Sequence, residues 1–221
     1  MTARTVPVPP DRLVRWCENF GTRHGTVALD VRDGCLHLAA EDGESADVVL
    51  PFGRGYDGAA DPAAVADAAA APLRWGVLLV RKGGFAVAVV DTDRVVASKV
   101  GQRHVQGRTK AGGQSQQRFA RRRDNQARQA YEAAADHAHR VLVAEATAPL
   151  EALVCGGDRA AVDQVLADPR LARPADGWPA ALADLRVEPW LPVPDPRRAV
   201  LDQAVADARS LHVHLPARPQ G

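Results

Sequence analysis

Three apolar runs separated by tight turns constrain this chain more than any other feature. Gly76–Val80 is an apolar run that Lys82-Gly83-Gly84 turns. Phe85–Val90 returns, Asp91-Thr92-Asp93 turns again, and Val95–Val105 makes a third segment. Short apolar runs bounded by Gly and Asp clusters read as strands joined by hairpins. The pattern predicts an antiparallel three-strand meander. Gln106 to Gly113 then leads away from it as a loop.

A long helix is expected next, from about Ser115, its N-cap, to about Ala146. Phe119, Ala127, Ala130, Tyr131, Ala134, Ala138, Val141 and Leu142 recur at helical intervals and form its buried face. At about 1.5 Å per residue the helix would exceed ~40 Å. Arg118, Arg121, Arg122 and Arg128 sit in its first half, off the apolar stripe. After Pro149 the pattern predicts a strand at Leu150–Cys155 and a helix capped by Asp158 that runs through Leu166. A helical turn at Ala180–Leu185 follows, then an edge strand at Val187–Val193 carrying Pro189 and Pro192. A last helix starts at Pro196 and runs to about Leu211. The element order is β-β-β-α-β-α-β-α, an α/β class.

The first seventy residues read differently. Residues 1–10 are Pro-rich and extended. Asp11 is placed to cap a helix that buries Leu13, Val14, Cys17 and Phe20 beside Trp16. Gly21 and Gly25 end it. Thr26–Val31 and Cys35–Ala39 alternate around Asp33-Gly34, a hairpin signal. Asp42-Gly43 turns into Ala46–Leu50, which Pro51 closes. Gly53 to Pro72 reads as a linker with a short Ala-rich helix, and its glycines lack the Lys-Ser/Thr of a phosphate loop. The expected organisation is a small N-terminal α+β helix-plus-meander domain over 1–70, a main domain over 71–215 and a disordered tail over 216–221.

Charge sharpens the picture locally. Net charge over the 221 residues is +1, yet nine Lys and Arg lie between Lys99 and Arg128 against one acid, Asp124. A local basic stripe is the footprint of phosphate binding. The three cysteines, Cys17, Cys35 and Cys155, have neither metal nor disulfide spacing and fit a reducing cytoplasm. The opening residues hold no signal-peptide core, and no apolar run approaches the ~20 residues of a membrane span.

The loop and the first turns of the long helix read Ala111-Gly112-Gly113-Gln114-Ser115-Gln116-Gln117-Arg118-Phe119-Ala120-Arg121-Arg122-Arg123. This stretch has no acid and no Cys. It offers one amide side chain beside nearly bare backbone. Gly112-Gly113-Gln114 followed by Ser115-x-x-Arg118-Phe119-Ala120-Arg121-x-Arg123 resembles the Gly-Gly-Gln region of the archaeal and eukaryotic class-one peptide release factors. With an Arg-rich helix and no codon-reading domain, the chain is most similar to the Vms/ANKZF-like release factors, including their small actinobacterial relatives. The resemblance runs from about Leu73 to the C-terminus and does not reach the first seventy residues.

The resemblance implies an RNase H-like middle domain, with which the element order agrees. It implies codon-independent hydrolysis of the peptidyl-tRNA ester on stalled large ribosomal subunits, in the cytoplasm, by a monomer without metal or other cofactor. Gln114 would be the catalytic residue, with Gly112 and Gly113 letting backbone approach the ester. Backbone N–H groups can stabilise a developing oxyanion, and a Gln side chain can place water without bringing charge. His104, Arg108, Lys110, Arg118, Arg121, Arg122 and Arg123 would contact rRNA or the phosphates of the tRNA acceptor end. The peptidyl-transferase centre would supply the rest of the site around the CCA end.

Two other activities stay open at this level. One is cleavage of the tRNA just before its CCA end, which Vms/ANKZF-like relatives also suggest. The intact Gly-Gly-Gln favours the ester. The other is a non-catalytic ribosome- or tRNA-binding module. Elsewhere, Asp91 and Asp93 could serve as nuclease-type carboxylates but read first as a hairpin turn. His137 and His139, two apart on a helix, point to different sides and make a poor metal pair. His212 and His214 could chelate if extended, but lack a third ligand. Cys155-Gly156-Gly157-Asp158 reads as a strand-to-helix turn with a buried thiol.

Overall fold

The computed structural model describes residues 4–102 and 128–216. The chain divides into two compact units, one of Leu73–Val205 and one that combines the residues up to Pro72 with those from Ala206 onward. In chain order the elements are β1 (Arg4–Val8), α1 (Leu13–His24), β2 (Val27–Arg32), β3 (Cys35–Ala40), β4 (Ser45–Val49) and α2 (Pro62–Ala70). The meander follows as β5 (Arg74–Arg81), β6 (Gly84–Asp91) and β7 (Arg94–Gln102). Then come α3 (described from 128 to 139, continuing as a π-type turn over Arg140–Ala144), β8 (Ala152–Gly157), α4 (Arg159–Leu166), β9 (Arg186–Leu191), α5 (Arg198–Ala208) and β10 (Leu211–Leu215).

The larger unit holds a five-stranded sheet in the order β7-β6-β5-β8-β9. The hairpins β5–β6 and β6–β7 are antiparallel, and β8 adds parallel to β5. The edge strand β9 adds parallel to β8. Leu78, Val80, Phe85, Val87, Val89, Leu153 and Cys155 turn one face toward Ala134, Ala138, Val141 and Leu142 of α3 and Val162 and Val165 of α4. Each large apolar side chain buried there contributes roughly 1.5–3 kcal/mol. Trp75, Val77, Leu79, Ala86 and Ala88 alternate with these and point to the other face, where they are equally buried. Ser98 of β7, opposite Ala88, accepts a hydrogen bond from Arg198 at the start of α5, so that helix lies on this second face.

The α/β class and the meander match the expectation, and the ends move by a few residues. The distal part of α3 buries the predicted Ala134, Ala138, Val141 and Leu142. Asp158 caps α4 by accepting from the N–H groups of Ala160 and Ala161. The predicted start of α3 at Ser115, with Phe119 and Ala127, lies outside the described residues.

In the smaller unit the order is β1-β10-β4-β3-β2, all neighbours antiparallel. Asp33 and Gly34 both take positive φ, 51° and 76°, as the two-residue β2–β3 turn requires. Leu36, Leu38, Ala46, Val48, Leu211 and Val213 pack on Leu13 and Phe20 of α1 and Val65 and Ala69 of α2.

Three expectations change here. Asp11 caps nothing: it lies in a 3-10 turn, Pro10–Arg12, where the proline ring sets the entry, and α1 begins without a side-chain cap. The 53–72 segment is more than a linker. Tyr56, Val65 and Ala69 are buried in the core, and Asp61 caps α2 by accepting from the Ala64 N–H. The C-terminal residues expected to close the main domain form β10, inserted between β1 and β4. The compact unit that starts at Leu73 therefore ends at Val205 rather than at 215.

Candidate functional site

Because β5, β7, β8 and β9 point the same way, Arg81, Gln102, Gly157 and Leu191 all lie toward one end of the larger unit's sheet. In open α/β sheets this carboxyl end is where ligands bind. The described chain leaves β7 at Gln102 and resumes at Arg128 in α3. Gly112, Gly113, Gln114, His104, Arg108, Lys110, Arg118, Arg121, Arg122 and Arg123 all fall between those points, outside the described residues.

The base that flanks them is tied together. Arg81 donates from Nη1 to the Val193 carbonyl at 2.8 Å, and its Nε lies 3.7 Å from Asp195 Oδ1. The Asp158 N–H donates to the Val80 carbonyl at 2.8 Å. The ends of β5, β8 and β9 are thereby cross-linked. At β7, a side chain on Gly101 would land in the ring of Phe85. Only glycine lets that ring lie flat against the strand.

His137 of α3 stacks on Phe85 with ring centroids 5.1 Å apart and planes 26° apart. Arg140 Nη2 donates to His137 Nδ1 at 2.8 Å, which leaves the ring proton on Nε2. Burial, then the charges of Arg140 and Lys99, push the His137 pKa below its ordinary value, so the ring is neutral at neutral pH. Sequence spacing considered His137 only as a metal ligand. What distinguishes it is Phe85, fifty residues upstream, and only the β6–α3 packing reveals that.

The other sequence candidates resolve as follows. Asp91 and Asp93 flank the β6–β7 turn, and Asp91 pairs with Arg74 at 3.4 Å. They lie at the end of β5 opposite Arg81, as turn residues. His139 lies near Asp168, away from the Phe85 stack, so the two helical histidines do face different surroundings. Cys155 is buried, and that burial raises its thiol pKa to about 12. Among the described residues no three His, Cys, Asp or Glu side chains gather as a metal site would require. No helix among them is long and apolar enough to cross a membrane.

The smaller unit turns a polar row across its sheet. Thr5, His214, Asp47, His37 and Asp30 stand opposite one another on successive strands. Arg32 donates to His37 Nε2 at 2.6 Å, and His37 Nδ1 donates to Asp47 Oδ1 at 2.6 Å. His214 Nδ1 is 2.9 Å from Thr5 Oγ1. Asp30 Oδ1 accepts from the Val31 N–H at 2.8 Å, so every residue of the row has a hydrogen-bond partner.

A family model described as Actinobacteria/chloroflexi VLRF1 release factor matches residues 73–214. The match takes in the whole larger unit and runs on to the penultimate residue of β10. No curated protein matches the chain.

Proposed function

From the premise that this chain belongs to the Actinobacteria/chloroflexi VLRF1 release factor family, we propose that it is a codon-independent peptidyl-tRNA hydrolase that frees nascent chains from stalled large ribosomal subunits. The single observation that carries this is the Gly112-Gly113-Gln114 tripeptide followed by an Arg-rich segment, inside the matched region. The strand order β7-β6-β5-β8-β9, with only β6 antiparallel to the others, supports assigning the larger unit to the RNase H-like class.

The ester joins the nascent peptide to the terminal ribose of the tRNA. Water attacks the carbonyl carbon, the ester C–O bond breaks, and the ribose oxygen leaves with a proton. Backbone N–H groups at Gly113 and Gln114 would face the oxygen where charge develops, and one such donor is worth about 3 kcal/mol in other enzymes. The Gln114 amide would hold the water. A neutral amide suits a site already crowded with RNA phosphates, because a carboxylate there would be repelled. Arg108, Lys110, Arg118, Arg121, Arg122 and Arg123, with His104, would fix the loop on rRNA and on the acceptor end. The reading places the protein in the cytoplasm, as a monomer.

The test is direct. Large subunits carrying labelled peptidyl-tRNA are incubated with the purified protein. Free peptide is the expected product. Peptidyl-tRNA that stays intact at saturating protein contradicts the proposal.

A further inference from the structure

A cavity of about 190 Å³ opens at the base from which the chain runs into residues 103–127, among Val80, Arg81, Phe85, Gln102, Ala133 and His137. We infer that this cavity receives a single unpaired nucleobase of the RNA on which the protein acts. The inference rests on the release-factor reading for the identity of its partner as RNA.

Size is the first argument. An apolar cavity of about 150 Å³ takes one benzene ring. This one is a little larger, enough for one planar base with its sugar and phosphate left outside. Its walls are the second argument. Val80, Ala133 and the edge of Phe85, whose faces are taken by Gly101 and His137, present apolar surface, and bases extruded from RNA stack on histidine rings as on aromatic ones. The polar groups at its edge match a base rather than an aliphatic side chain. The Gln102 amide both donates and accepts, and His137, neutral and bonded at Nδ1, keeps a donor on Nε2.

Charge is the third argument. Lys99 and Arg140 act on His137 against one acid, Asp136, so two cations and one carboxylate lie around this wall of the cavity. Lys99 opens the run of nine basic residues that ends at Arg128. A small free anion would need a cation of its own inside, whereas Arg81 is held by Val193 and Asp195. A base brings its ring to the apolar interior and leaves its phosphate outside, where Lys99 and Arg140 outnumber Asp136.

The probe is a short RNA stem with an unpaired 3′ end, carrying 2-aminopurine at each unpaired position in turn. With the wild-type protein, fluorescence at one position should change at least 2-fold on binding. Ala133→Leu fills the cavity from a half-buried position; it should abolish that change and weaken binding about 10-fold. Gln102→Ala, which leaves the packing intact, should weaken binding about 3-fold and shrink the signal. A thermal melt of each variant separates loss of the cavity from loss of the fold. Gln114→Ala should keep the full fluorescence change while losing peptide release. Failure of release with the signal intact would therefore count against the hydrolase reading alone. No position responding in the wild-type complex, or both cavity variants behaving as wild type, overturns the nucleobase site.

Discussion

The two units use the same material, a five-stranded sheet and helices, to opposite ends. In the larger unit both sheet faces are buried and the positive charge is concentrated. Its residues 73–205 hold 20 Lys and Arg against 15 Asp and Glu, and nine of those bases lie between Lys99 and Arg128. In the smaller unit the sheet buries one face, and the other carries the row of Thr5, His214, Asp47, His37 and Asp30. There the count reverses, with eight bases against 12 acids. An acidic unit attached to a basic one does not add to phosphate binding. On the proposed function, the contrast points to the larger unit, and within it to one segment of sequence, for contacts with nucleic acid.

Removing β10 breaks the comparison most severely. Truncation after Ser210 leaves α5 whole and takes the second strand out of the smaller sheet, exposing the edges of β1 and β4. Hydrogen exchange should show the smaller unit unprotected and the larger one largely intact. Protection surviving at the β4 amides that face β10 would contradict this topology.

Next in size is Leu153→Ala, at a fully buried position on β8. A cavity in that core should cost about 2–5 kcal/mol, read by denaturant unfolding. The loss should appear in the larger unit's transition and spare the smaller one.

Arg121→Ala with Arg122→Ala tests where the phosphate contacts lie. RNA affinity should fall, and the slope of log K against log salt should flatten by about 1.4–1.8, with 0.7–0.9 for each lost contact. The same double change made at Arg12 and Arg15 of the smaller unit should leave the slope unaltered.

The smallest effect concerns a surface staple of the larger unit. Arg170 bridges Asp168 at 2.8 Å and Asp136 of α3 at 2.8 Å. The hydrogen bond from Arg170 lowers the Asp168 pKa to about 2. A carboxyl whose folded pKa lies below its unfolded value stabilises above the unfolded value, near ~4, and that gain is lost as pH falls through the folded value. Solvent screening keeps the contribution under about 1 kcal/mol. Asp168→Asn should therefore lower the melting temperature slightly at pH 7, and the difference should vanish below about pH 2.

Much of the larger unit was legible because its signals are local. Tight turns at Lys82-Gly83-Gly84 and Asp91-Thr92-Asp93 fix two hairpins, and Asp158 caps the helix that follows it. β10 was missed for the opposite reason. Leu211-His212-Val213-His214-Leu215 alternates as a half-buried strand should, but its partners, Arg4–Val8 and Asp47–Val49, lie at the far end of the sequence. Nothing within the segment says which sheet it joins. Tyr56 and Val65 carry no clear core signal in the sequence because Gly and Ala around them dilute the apolar pattern. The Gly112-Gly113-Gln114 stretch is legible as a motif of residue types and lies outside the described residues. The stack of Phe85 on His137 beside its base was invisible, because it depends on β6 meeting α3 across the fold.

The measurement that tests the account most directly uses large subunits loaded with labelled peptidyl-tRNA, treated with wild type and with Gln114→Ala, and followed at both the peptide and the tRNA 3′ end. Wild type should give free peptide and full-length tRNA, with the rate down at least ~100-fold in the variant. A peptide still carrying CCA would move the chemistry to the tRNA backbone, and equal release by both proteins would remove Gln114 from it. Either result contradicts the central claim.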